Sequence, residues 1–275
     1  MPSKKQNIRL DGEVALVTGG GRGLGLSISK SLANIGASVC LTGRNPEHLQ
    51  AAVNAIRDTG GKAEYAIGDV ADKVSMEAAV TKFSDQFGTV SILVNNAGIG
   101  MGGPFAETDP DDWWRVMEVN VKGPMLMSRL VLPDMLSAGH GHIINIGSYQ
   151  AIDPAPMVSA YATSKAALLR LTDSLSAETF DQGVTIIAVS PGFVRTDMGL
   201  VAEDGMRKAN PQWEGFDPDY VFEPSAISEL VCQIATGKAK QFHGRLLHVK
   251  DHLDDLLSHA DEILAKDRFS LRFKM

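Results

Sequence analysis

A chain of 275 residues, 44 % hydrophobic and 21 % charged, is long enough for one large apolar core and lies in the globular range. Its 26 basic and 33 acidic side chains leave a net charge of −7, which argues against nucleic acid or an anionic membrane as the main partner, and no window approaches the roughly 18 apolar residues of a membrane span. Two cysteines, Cys40 and Cys232, and a polar start, MPSKKQNIRLDGE, exclude a disulfide framework and a secretory signal and fit a reducing cytoplasm.

Short runs rich in Val and Ile recur between helical patterns: VALVT (14–18), ASVCLT (37–42), AEYAI (63–67), SILVN (91–95), HIINI (142–146), VTIIAVS (184–190) and RLLHV (245–249). Strands that are apolar on both faces and separated by helix-length segments predict an α/β, doubly wound fold, a parallel sheet flanked by helices. Directly after the first run stands TGGGRGLG (Thr18–Gly25), followed by a helical stripe of Leu24, Ile28, Leu32 and Ile35 with Gly36 as its stop. Glycines at such a turn let backbone N–H groups approach a pyrophosphate whose charge the helix N-terminus stabilises. Thr18, Gly19, Gly21, Arg22, Gly23, Leu24 and Gly25 are therefore candidate cofactor contacts.

The second run ends in LTGRN. A carboxylate at that point would bind the ribose 2′-hydroxyl of NAD; Gly43 stands there instead, followed by Arg44 and Asn45. A guanidinium grips a phosphate through two donors, and Arg22 supplies a second cation, so NADP(H) is favoured over NAD(H). The segment 109–136 opens with acidic residues and reads as one long helix whose apolar stripe is core or subunit contact. Residues near 193–224 are broken by glycines and prolines yet carry Trp213, Phe216 and Phe222, a combination that suits a substrate lid. Beyond the last strand, Leu253, Leu256, Leu257, Ala260, Ile263 and Leu264 form the stripe of a terminal helix that docks on the core, and RFSLRFKM finishes the 250–275 extension as an extended arm. His248 and His252 lack an acidic or Cys partner at metal-ligand spacing and are expected to be packed or solvated. No repeat, linker or composition shift marks a second domain, so residues 1–275 are taken as one.

Within YATSK, Tyr161 and Lys165 are neighbours on a helix face, where the ammonium favours the ionised form of the phenol. That makes Tyr161 a general acid/base, giving a proton to a carbonyl oxygen or taking one from an alcohol. Ser148, just past the fifth strand, stands where catalytic groups of parallel sheets gather, and Asn120 would be an amide buried inside a helix.

The TGxxxGxG spacing and YxxxK together resemble the short-chain dehydrogenase/reductase family over about residues 11–249, and further motifs fall in order: Asp69, NNAG (Asn95–Gly98), Asn120, Ser148 and PGFVRT (Pro191–Thr196). The resemblance implies that Asp69 and Val70 contact adenine, and that Asn96, Ala97 and Gly98 line the cofactor cleft, with Asn95 there or only tying strands together. It implies that Pro191, Gly192, Val194 and Thr196 meet the nicotinamide carboxamide, and that Lys165 also binds the nicotinamide ribose. Ser148 would hydrogen-bond the substrate oxygen, while Asn120 would bend its helix and hold a water leading from Lys165 to solvent. The family's Gly-Gly pair after the last strand is absent. Ser148, Tyr149, Gln150, Met157, Phe193 and Trp213 would surround a small carbonyl or alcohol substrate in a mostly apolar pocket. Ketone reduction is the expected reaction, and homodimers or homotetramers through 109–136 and 157–179 the expected assembly. The alternatives are an inactive dinucleotide-binding regulator, which would typically have lost Ser148, Tyr161 or Lys165, and an NAD-dependent alcohol dehydrogenase.

Overall fold

Strand β1, Val14–Thr18, shows in miniature why the chain folds as it does: all five residues are buried, and successive side chains enter opposite layers. Val14 and Leu16 join Met76, Phe83, Met127 and Val131 on one side, whereas Ala15 and Val17 join Ile28, Leu32, Leu49 and Val53 on the other. A strand needed on both faces cannot alternate polar with apolar, hence its continuous hydrophobic run.

A computed structural model describes residues 9–154, 156–196, 198–200, 203–204, 207, 212 and 214–271. Strands β2 (Ser38–Gly43), β3 (Lys62–Ile67), β4 (Ile92–Asn95), β5 (Gly141–Ile146) and β6 (Val184–Ser190) join β1, and β9 (Leu246–His248) closes a parallel seven-stranded sheet ordered β3-β2-β1-β4-β5-β6-β9. The chain doubles back between β1 and β4, so a crevice opens beyond their C-terminal ends, the place where open α/β sheets take ligands. Each anticipated strand is present within a residue or two of its expected bounds. A short parallel pair, β7 (Phe193–Val194) and β8 (Val221–Phe222), pins together the two ends of the segment read as a lid.

Helices α1 (Gly23–Asn34), α2 (Pro46–Arg57), α3 (Lys73–Phe87), α4 (Pro110–Met117), α5 (Gly123–Ala138), α6 (Ser159–Glu178) and α7 (Pro224–Ala235) cover the faces. Their starts follow side-chain caps where the sequence supplies them: Asn45 accepts from His48 N–H at 2.9 Å and Asp72 from Ser75 N–H at 3.0 Å. The single helix expected over 109–136 is instead two, separated by a π turn at Glu118–Lys122. The expected terminal helix is likewise split into α8 (Leu253–Ser258) and α9 (Ala260–Ala265), and Leu253, Leu256, Ala260 and Ile263 dock in the main core. Among the described residues no helix is long and apolar enough to cross a membrane.

Candidate active site

The Tyr161 and Lys165 side chains rise from the first turns of α6 beside the end of β5. Lys165 is only 5 % exposed; its Nζ donates to Ile146 O at 2.8 Å and lies 5.4 Å from the centre of the Tyr161 ring. Ser148, two residues beyond β5, faces the Tyr161 phenol closely enough to lower its pKa, and accepts from Gln150 N–H at 3.2 Å, which starts a 3₁₀ turn over Tyr149–Ala151. Burial pushes the Tyr161 phenol above its ordinary pKa, and the Ser148 hydrogen bond offsets this only in part. Burial also lowers the Lys165 amine to about 8. Burial thus favours the protonated phenol, the form that donates a proton.

Asn120 lies in the π turn and is 1 % exposed. Its Oδ1 accepts from Ile99 N–H at 2.9 Å while its Nδ2 donates to Ile99 O at 2.9 Å and to Ser164 Oγ at 2.9 Å. The amide thus copies a backbone pairing with the loop after β4, and the extra residue of the π turn brings it there. A methyl added at Gly98 would sit 3.3 Å from Asn120 Oδ1 and 3.8 Å from Lys165 Nζ, so the NNAG backbone runs directly past the amine.

The glycine turn has the form of an anion cradle. Gly19 and Gly23 take left-handed backbone angles (φ 64° and 53°), and a methyl at Gly25 would stand 2.2 Å from Gly19 O, so the helix presses onto the turn. Arg22 precedes α1 in an extended conformation, with no side-chain cap and no acidic residue in the first turn, which leaves the helix N-terminus suited to a phosphate. Gly21 and Leu24 lie on the same turn. Thr18 Oγ1 accepts from Asn96 and Ala97 N–H, both at 3.0 Å, and Asn96 Nδ2 donates to Thr18 O at 2.9 Å, so these residues form the floor between β1 and β4. Across the cleft, Thr196 Cγ2 comes within 3.4 Å of a methyl placed on Gly23, which sets Pro191–Thr196, with Gly192 at φ 66° and Val194 in β7, opposite the cradle. These residues fit a dinucleotide.

Arg44 is exposed just past β2, while the Asn45 side chain is engaged as the α2 cap. Asp69 Oδ1 accepts from Ala71 N–H at 2.9 Å and its other oxygen pairs with Arg115 of α4; Val70 packs over Gly123. Arg115, 46 residues from Asp69, carried no signal in the sequence. Asn95 proves to be a tie: its Nδ2 donates to Asn145 Oδ1 at 2.8 Å, and Asn145 Nδ2 donates to Thr172 Oγ1 at 2.8 Å, joining β4, β5 and α6.

Around the substrate side, Phe193 stacks on Phe216 with centroids 3.8 Å apart, and Tyr149 stacks on His248 at 4.4 Å. Met157 holds φ 69° and its carbonyl accepts from Gly103 N–H at 2.7 Å; Gln150 is exposed, and Trp213 lies outside the described residues. His248 is 1 % exposed, and its Nδ1 accepts from Lys250 N–H at 2.9 Å, so it is a packed histidine whose proton sits on Nε2.

Comparison with known proteins agrees with this geometry. The family described as short chain dehydrogenase matches residues 13–206. Galactitol 2-dehydrogenase of Rhizobium johnstonii is 38 % identical over 252 residues, 90 % of this chain and 97 % of that one. Among solved structures, a gluconate 5-dehydrogenase from Burkholderia cenocepacia, in complex with NADP and tartrate, superposes with a TM-score of 0.78 at 31 % identity, covering 90 % of this chain and 98 % of its own. An NAD+-bound xylitol dehydrogenase does so at 0.81 and 26 % identity, covering 86 % and 97 %.

Proposed function

The chain belongs to the short chain dehydrogenase family, and we propose that it is an NADP(H)-dependent carbonyl reductase in which Tyr161 is the general acid. The observation that carries this reading is the Ser148–Tyr161–Lys165 cluster at the end of β5, beside the Gly98 backbone and open to the crevice where the strand order reverses. NADP(H), when bound, supplies the hydride for reduction or accepts it in oxidation. Ser148 and Tyr161 hydrogen-bond the carbonyl oxygen, and the partly buried phenol, favoured in its protonated form, delivers its proton as negative charge develops there. Lys165 stands beneath the ring to stabilise the phenolate left behind and, by family resemblance, to hold the nicotinamide ribose. Asn120 fixes the loop after β4 and, by family resemblance, would hold a water that connects Lys165 to solvent.

Screening consumption of NADPH against a panel of ketones and aldehydes tests the reading. The neighbours' printed substrates are polyols and sugar acids, but the stacked pairs Tyr149–His248 and Phe193–Phe216 support a reading in which hydrophobic ketones are favoured here. We expect kcat/KM for aryl and alkyl ketones to exceed that for keto-sugars; the reverse ranking overturns the apolar pocket. One compared structure holds NADP and another NAD+, so the preference rests on Gly43 and Arg44. NADPH should outperform NADH in kcat/KM, and Arg44→Asp should reduce that advantage by about tenfold or more; an unchanged ratio assigns the 2′-phosphate to other groups. Pairing of copies through α4–α5, where Trp114 and Met125 are 61 % and 41 % exposed, and through α6, together with a cytoplasmic setting, completes the proposal.

A further inference from the structure

Strand β9 forms one edge of the sheet, and the C-terminal arm lies along it. Leu246 N–H donates to Phe269 O at 2.9 Å; the Arg245 guanidinium pairs with Asp267 and donates to Arg268 O at 2.9 Å. Asp267 and Phe269 are non-glycine residues at φ 48° and 61°, a conformation that costs on the order of 1 kcal/mol each and persists only where surrounding contacts impose it. Farther along the arm stands Leu271. Its carbonyl accepts from Arg170 of α6, and its side chain packs on a small cluster of Leu169, Ala188 and Leu246. Tyr149 and Ala151 rest on that same cluster.

Those two residues belong to the turn that Ser148 begins, whose backbone is closed by Ala151 N–H to Ser148 O at 3.1 Å and Ile152 N–H to Tyr149 O at 3.0 Å. The other support of Tyr149 is the stacked His248 ring, also on β9. The arm therefore ties together α6, which carries Tyr161 and Lys165, and β9, which backs the residue next to Ser148. Nothing in the chemistry of Leu271 touches a substrate; its influence passes through the cluster it completes.

We propose that the C-terminal arm, through Leu271 and its Arg170 clasp, is a positioning element that holds the Ser148–Ala151 turn against α6 and so sets the distance between the Ser148 hydroxyl and the Tyr161 phenol. The proposal deepens the reductase reading and rests on it for its catalytic consequence. Misplacing one of two hydroxyls that share a carbonyl oxygen by an ångström or less costs up to about a hundredfold in rate. Weakening the arm therefore lowers turnover and raises KM for the carbonyl without touching the phosphate cradle, which lies across β1 and β4.

Full-length Leu271→Ala and Arg170→Ala test this by hydrogen exchange and by kinetics. Amides of residues 149–152 should exchange about tenfold faster or more in both variants, while those of β1 and β4 keep wild-type rates. Turnover with a carbonyl substrate should fall about tenfold with the NADPH dissociation constant within about twofold, and Leu271→Met should recover most of the loss. Unchanged exchange at 149–152, or acceleration spread equally over β1 and β4, overturns the proposal. Exchange is read without substrate, so a wild-type protein that reduces no carbonyl would sink the reductase reading and leave the positioning of the turn to be decided on its own.

Discussion

Replacing Tyr161 with Phe is expected to lower turnover by about 10²- to 10⁴-fold or more while binding of NADPH survives nearly unchanged. The substitution keeps the ring beside Lys165 Nζ, 5.4 Å away, and removes only the hydroxyl that Ser148 contacts. Because burial raises the phenol pKa, the wild-type proton donor stays loaded through neutral pH. Reduction should accordingly be flat around pH 7, whereas oxidation of the corresponding alcohol, which needs the phenolate, should climb as pH rises. Steady-state rates in both directions with a titration of NADPH fluorescence check all three statements. A Phe variant with wild-type turnover would remove Tyr161 from the chemistry.

Lys165→Met should combine two opposite effects: loss of activity and a gain in stability of the protein measured without nucleotide. The native amine titrates at about 8, below an ordinary lysine near 10.4, so folding confines a charge that water solvates better. Below pH 8 the folded and unfolded chains are both protonated at this site and the full penalty applies. Between about 8 and 10.4 the unfolded chain still holds the proton that the folded one has released, so this site's contribution to stability improves with rising pH. A methionine of similar length escapes the penalty but forfeits the hydrogen bond to Ile146 O. The net gain is expected to be about 1–2 kcal/mol at pH 7, shrinking toward pH 10. Denaturant titrations at pH 7 and pH 9.5 measure it, and a Met variant less stable than wild type at pH 7 would show that the buried ammonium is not a burden.

The parallel sheet was legible because every strand is buried on both faces, and such runs stand out as unbroken stretches of Val, Ile and Leu. The pairing of Tyr161 with Lys165 was legible for a different reason: the two share one helix turn, a local relation that spacing displays. Groups joined across long separations were not. A bend at Asn120 is what the family resemblance implies, but the pairing with Ile99, 21 residues away, that breaks the segment there is not something the apolar stripe through 109–136 displays. Arg115 reaches Asp69 only because the fold sets α4 beside the end of β3. The alternating pattern suggested an extended arm, but its described residues turn at 266–270, and its moorings are backbone carbonyls of Phe269 and Leu271, which leave no mark on composition.

A π turn contains one residue more than the α turn it replaces. Insertion or loss of a single residue between Glu118 and Lys122 would therefore swing α4 about its axis relative to α5 by about 100°, carrying Asn120 off the Ile99 backbone it now clasps. The stretch is thus locked in length, and in identity at Asn120, while changes of length are better absorbed in surface connections.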